Sequence, residues 1–212
     1  MTATPTRTKR AYDSSGRQAA AQRRRERVVE VATRLFAQHG WTGTTLALVA
    51  KEAGVSTELV SGAFGGKPGL LLTAVRSSTF GDGGDITGAT AALHLEQVDD
   101  REERLDRAVE FVVRSLRTMA PLMPAMIHAA GEDAQALELI RDGRAQRAAM
   151  AHDLVTMLGE GPSDGSPDQQ TVDLVYLTTS GEVYLQLTQE LGWDEAHYTA
   201  WLRAELDRII RG

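Results

Sequence analysis

Ser56, Thr57, Glu58, Ser61 and Gly62 lie within one seven-residue window. On a helix, Thr57, Glu58, Ser61 and Gly62 share a single face that is small and polar. Such a face fits a groove of DNA. Lys67 follows at short range and Arg23, Arg24 and Arg25 precede it, which supplies the cations that phosphates need. The chemistry these residues point to is recognition of a polyanion rather than bond making.

Bond-making constellations are missing from the sequence. The five histidines are scattered, with no HExxH and no paired metal spacing. GAFGGKPG superficially resembles a phosphate loop, but Ser61 stands where the pattern needs glycine and Pro68 where it needs Ser or Thr. There is no GxSxG nucleophile elbow. No catalytic residue, metal ligand or cofactor is expected, and the chain reads as a non-enzyme.

The polar face needs a scaffold, and the stretch TTLALVAKEAGVSTELVSGAFGGK from Thr44 to Lys67 provides one. Leu46, Val49, Ala50 and Ala53 fall at i, i+3, i+4 and i+7, one apolar stripe on a two-turn helix. Gly54 stops that helix by entering the left-handed region at no steric cost. Ser56 is placed to cap the next helix, and Glu58 sits near its positive end. Val55, Leu59 or Val60, and Phe64 point back at the first stripe, since two such short helices are stable only if they cross and share a core. The pattern is a helix-turn-helix.

The residues from about Arg23 to Val75 also resemble the DNA-binding domain of the tetracycline-repressor (TetR) family of transcription regulators. The resemblance rests on LFAQHGW at Leu35 to Trp41, the Thr44-Thr45 pair, VAKEAGVS at Val49 to Ser56, Phe64, Lys67 and Leu70-Leu71. It covers roughly a quarter of the chain, and the joint spacing is specific. It implies an all-α protein, with a three-helix helix-turn-helix domain followed by a helical ligand-binding and dimerisation domain. The DNA contacts expected are Thr44, Thr45, Ser56, Thr57, Glu58, Ser61, Gly62 and Lys67, beside Arg23, Arg24 and Arg25. Family members usually carry a tyrosine where this chain has Ser61, and an aromatic or histidine pair at Gly62 and Ala63. Here neutralisation of phosphate must come from elsewhere.

Charge is divided along the chain. The net −6 hides 12 Lys or Arg against 5 Asp or Glu in residues 1–76, and 11 against 24 in residues 77–212. The first part suits a polyanion and the second does not. Residues 1–16, with Arg7, Lys9 and Arg10 among Thr, Ser, Pro and Gly, read as a disordered basic arm that either follows phosphates or is a solvated tail. The expected division is 1–16 arm, 17–66 helix-turn-helix domain, 67–79 connecting helix and 80–212 effector-binding and dimerisation domain. The chain has no cysteine, no apolar run long enough to cross a membrane and no signal-peptide pattern, so a cytoplasmic protein is expected.

From Arg17 a helix is predicted on Val28, Val29, Ala32, Leu35 and Phe36, closed by His39 and Gly40, with Trp41 packed beneath. Pro68 opens a further helix with Leu70, Leu71, Ala74 and Val75 inward, the connector that the resemblance makes a ligand-driven lever. Phe80 to Thr90 reads as a loop. Asp99 to Met119 returns to helix, and Pro121 and Pro124 bend or restart the chain. Met119, Met123 and Met126 fall within eight residues ahead of His128; methionine adapts to varied apolar partners, so this cluster is either plain core or a ligand pocket. Phe111, Leu154 and Tyr176 are the candidate neighbours. An apolar or amphipathic effector is expected, for want of a basic cluster to hold a multiply charged one.

Asp133 begins a helix that Gly159 ends, and GEGPSDGSP is a loop. Ser166 is predicted to cap a long helix from Gln169 to Leu191, and Asp194 to cap the last one. Val175, Thr179, Val183 and Leu187 on the former, with Tyr198, Trp201, Leu202 and Ile209 on the latter, either complete the core or form a dimer face. The resemblance implies a four-helix interface in a homodimer, with Gly181 allowing close approach there. Two functions fit. One is a dimeric, effector-released repressor on a two-fold DNA operator. The other is a ligand-binding or interaction dimer whose helix-turn-helix binds DNA weakly or not at all.

Overall fold

The computed structural model describes residues 15–81, 84–159 and 167–212. Most of the basic arm, most of the loop after Gly159 and the Ser166 cap lie outside the described residues. Every regular element among them is helical.

Four helices build the head. Helix α1 (Ser15–Gly43) buries Val28, Val29, Ala32, Leu35 and Phe36, the stripe its periodicity predicts. It bends at Gly40, whose φ of 65° and ψ of −165° interrupt the helix. The bend turns Trp41 inward, where its ring stacks on Phe36 at 6.2 Å. Helices α2 (Leu46–Ala53) and α3 (Thr57–Phe64) are eight residues each, too short to persist alone. Caps and a shared core hold them. Thr45 accepts from the Leu48 amide and Ser56 from the Leu59 amide, each worth about 1 kcal/mol against alanine. Between them Gly54 sits at φ 72°. Helix α4 (Gly66–Phe80) then lies along α1 with Leu70, Leu71, Ala74 and Val75 buried.

The body comprises α5 (Ile86–Ala91), α6 (Arg101–Met119), α7 (Met123–Glu132), α8 (Ala134–Leu158), α9 (Gln169–Thr178), α10 (Gly181–Leu185) and α11 (Glu195–Arg211). Its apolar cluster centres on Leu105, Val109, Leu154, Leu158, Tyr198, Leu202 and Leu206. Around it, a charged lattice ties α6 to α11. Arg101 donates to Asp207 at 2.6 Å and to the Leu158 carbonyl, and Arg203 bridges Asp106 and Glu102. Head and body are not separate cores: Leu122, Ala125, Ala129 and Ala136 belong to the head cluster, because α7 packs on α1.

Two expectations about the elements need correction. The stretch after Phe80 is not loop throughout, because Asp85 accepts from the Gly88 amide and starts α5 at Ile86. Helix α9 starts at Gln169 and its N-cap is Asp168, which accepts from the Thr171 amide. The helix expected from Gln169 to Leu191 is broken. Thr179 returns its hydroxyl to the Val175 carbonyl, and Ser180 adopts an extended conformation and caps α10 through the Val183 amide. Consecutive hydroxyl residues thus bond their own backbone in place of continuing the helix. A π-helical turn at Gln186–Glu190 follows α10.

Candidate functional site

The candidate recognition surface lies on α3. Val60 fills the inward position and is fully buried, so its neighbour Leu59, one helical step round, stands 41% exposed. Glu58, Ser61, Gly62 and Ala63 are exposed beside it, and Thr57 is half-buried. The open face is therefore Glu58, Leu59, Ser61 and Gly62. Spacing alone leaves Leu59 open between core and surface; the structure puts it on the open face, one apolar side chain among polar ones.

Other candidates at the DNA face have structural duties. The Ser56 and Thr45 hydroxyls serve as helix caps. Thr44 is fully buried, with its hydroxyl unpartnered among the described residues, so its side chain is out of reach of DNA. Arg25 donates to the Ala63 carbonyl at 3.0 Å, and its guanidinium lies 4.4 Å from the Phe64 ring centre. It braces α1 against the end of α3. Arg23 and Arg24 are exposed on the same helix, as is Lys51 on α2.

Lys67 departs furthest from its expected role. Its ammonium rests 3.9 Å from the Trp41 ring centre, a cation–π contact. Burial holds its pKa below the usual lysine value, opposed by the charges of Glu132 and Asp133. The lysine is held at the junction of α4 with α7 and α8, where Gln135 also donates to the Gly65 carbonyl. Sequence spacing carries no sign of the α7–α8 corner that occupies it.

The predicted effector residues separate into two groups. Phe111 and Leu154 are buried in the body cluster, with Met119 and Tyr176 packed on it. Met126 packs instead on the head cluster, and Met119 touches both. His128 is exposed and pairs with Glu132 at 3.1 Å, so it faces away from the interior. Met123 is buried with its thioether against Gly181: a Cβ there would meet its Sδ at 2.2 Å. The close approach at Gly181 is thus to α7 of the same chain.

Tyr176 carries the Arg147 guanidinium at 4.0 Å, a single cation rather than a basic cluster. Ser115 Oγ, Tyr198 Oη and Arg147 Nε are buried without a partner among the described residues. Burial pushes the Tyr198 phenol above its ordinary pKa, and Tyr184, in edge contact at 4.9 Å, is raised for the same reason. These polar atoms were not singled out by apolar periodicity, which treats Tyr198 as one more core residue.

Five of the residues predicted for a dimer face are interior. Val175, Thr179, Tyr198, Leu202 and Ile209 are all buried within one chain, so they have little surface left to give a partner. Val183, Leu187 and Trp201 are half-buried. On α9, Leu174 is 40% and Leu177 58% exposed, and Leu191, after the π-helical turn, is 67% exposed.

Comparison with known proteins places these observations. Residues 28–74 match the family model described as bacterial regulatory proteins, tetR family. The HTH-type transcriptional regulator BetI of Burkholderia thailandensis is 34% identical over 100 residues, which are 47% of this chain and 49% of that protein. The chain thus spans about half the length of the curated relatives it matches. A transcriptional regulator from Rhodococcus sp. Rha1 shares the fold with a TM-score of 0.60 at 20% identity, over 87% of this chain and 95% of the other. So does the Bacillus subtilis regulator FadR, solved with stearoyl-CoA: TM-score 0.58, 15% identity, 88% and 97% covered.

Proposed function

We propose that this chain, which belongs to the TetR family of transcriptional regulators, is a homodimeric repressor that binds a two-fold operator in the cytoplasm and leaves it when an effector enters the body. The observation that carries the DNA reading is the solvent-facing side of α3, with Glu58, Leu59, Ser61 and Gly62 open. In the proposed complex this face enters the major groove, and Arg23, Arg24 and Lys51 neutralise phosphate. Two recognition helices from two chains would read a two-fold site. The outward Leu174, Leu177 and Leu191 are the side chains we assign to the chain–chain contact, in place of the buried set.

An apolar or amphipathic effector remains the preferred class. Its site is proposed among Phe111, Met119, Met123 and Leu154, where the methionines can give way and the buried Ser115 and Tyr198 hydroxyls offer hydrogen bonds. The stearoyl-CoA bound by FadR supports that class. Coupling would run through α7, which sets Met123 against Gly181 of α10 and contributes Ala125 and Ala129 to the head core. A gel shift against the protein's own upstream DNA, repeated with an acyl-thioester panel, is the test. Retention of a specific band with every ligand that raises the melting temperature would refute the release mechanism.

A further inference from the structure

A trough runs along α1 on the side facing α4, and its two ends differ in chemistry. One end is a cleft of about 420 Å³ lined by Gln22, Arg25, Glu26, Thr73, Arg76 and Ser77. The next cleft, of about 460 Å³, shares Glu26, Val29 and Ser77 with the first, and continues past Ala37 to Pro121 and Leu122. The first is polar and cationic, the second predominantly apolar. The trough joins the head to the turn that leads into α7.

The charges decide what it would hold. Arg76 is half-buried and makes no hydrogen bond or ion pair among the described residues. Arg25 spends one N–H on the Ala63 carbonyl, leaving others of its five donors. Glu26 already accepts from Gln22 at 3.0 Å. Further along, Glu30 pairs with Arg27 and Arg34 with Glu52. The polar end therefore presents two guanidiniums against one carboxylate. That balance suits a single negative charge, and Glu26 would repel a second one.

The geometry points to a binding site for an amphipathic monoanion, with its carboxylate on Arg76 and Arg25 and its apolar tail laid toward Ala37, Pro121 and Leu122. The occupant is distinct from an effector in the body core, which would contact Phe111 and Leu154. Its position bears on the head directly, because the same Arg25 braces α3.

Octanoate is the probe, with acetate as the head without the tail and octan-1-ol as the tail without the head. Isothermal titration of the full chain, without DNA, should give saturable octanoate binding and at least tenfold weaker binding of either control. Arg76→Gln should weaken octanoate roughly tenfold through loss of a charge-assisted hydrogen bond. Ala37→Glu, at an exposed position, should weaken octanoate and leave acetate unchanged. Circular dichroism checks that both variants fold. The site is overturned if octanoate fails to saturate the wild type, if Arg76→Gln binds it as well as the wild type, or if Ala37→Glu has no effect. A loss on Phe111→Ala with none on Arg76→Gln would assign octanoate to the body core. Because DNA is absent, none of these results depends on the operator reading.

Discussion

Alanine at position 181 probes the contact that joins α7 to the break between α9 and α10. Its Cβ would lie 2.2 Å from Met123 Sδ, 2.8 Å from Met123 Cε and 3.3 Å from Met119 Cε. Methionine is flexible, but Met123 is only 6% exposed, so the thioether must swing into occupied space. Overpacking of this kind costs about 1–3 kcal/mol, and the lower chain entropy of alanine returns about 0.4–1 kcal/mol. A net loss of roughly 1–2 kcal/mol is expected. Met123→Ala alone should cost about 2–4 kcal/mol by leaving a cavity. In that background the new Cβ has room, and Gly181→Ala should become neutral or stabilising. The double-mutant coupling should then be about 1–3 kcal/mol. Urea unfolding followed by far-UV circular dichroism, with unchanged m-values, measures it. Additive losses, within about 0.5 kcal/mol, would show that Met123 and Gly181 do not constrain each other.

Arg25→Ala removes the Ala63 hydrogen bond and the Phe64 contact, and should lower stability by about 1–2 kcal/mol in thermal unfolding; an unchanged melting temperature would remove the brace. Asp207 is held below the usual carboxylate pKa by hydrogen bonds from Arg211 and Arg101. Its contribution is therefore present above the unfolded carboxylate value and lost as pH falls through the lowered folded one, so Asp207→Asn should flatten the acid limb of stability against pH. Lys67 is lowered from 10.5, so the unfolded chain holds that proton longer and stability should rise with pH between the folded value and 10.5; Lys67→Met should abolish the rise. Glu58→Ala should change base preference by about 1–3 kcal/mol at one or two operator positions, with little change in salt response. Deleting residues 1–16 should weaken binding and flatten its salt dependence, and identical slopes would make the arm a solvated tail.

The head was legible because its signals are local. The stripe Leu46–Val49–Ala50–Ala53, the glycine at 54 and the caps at Thr45 and Ser56 each act over a few residues, and they agree with one another. What the sequence hid was competition for side chains over long separations. Lys67 reads as a phosphate ligand until the Trp41 ring and the α7–α8 corner are placed beside it. Thr44 reads as a surface hydroxyl until its burial is known. The wide apolar stripe of α11 was compatible with core or interface, and the choice depended on α6 and α9 covering Tyr198, Leu202 and Leu206. The helix break at Thr179–Ser180 was visible as a run of hydroxyl residues ending in glycine, but the surrounding apolar periodicity favoured a continuous helix. The methionine cluster failed as a single site for a geometric reason: the 3-10 turn Ala120–Leu122 redirects the chain and sends Met126 to the head side.

The central claim is that α3 reads DNA while arginines of α1 hold its backbone. It is tested most directly by the affinity of the full chain for its own upstream DNA, measured against scrambled duplex across a salt series. Each neutralised phosphate contributes about −0.9 to the slope of log affinity against log salt. Two copies, each using Arg23, Arg24 and Lys51, should give a slope of about −5, with the specific duplex preferred at every salt concentration. Arg23→Gln with Arg24→Gln should reduce the magnitude of the slope by about 3 or 4, two charges being lost from each copy. Equal affinity for specific and scrambled DNA, with a slope near zero, would contradict the account and leave a ligand-binding dimer with an inactive helix-turn-helix.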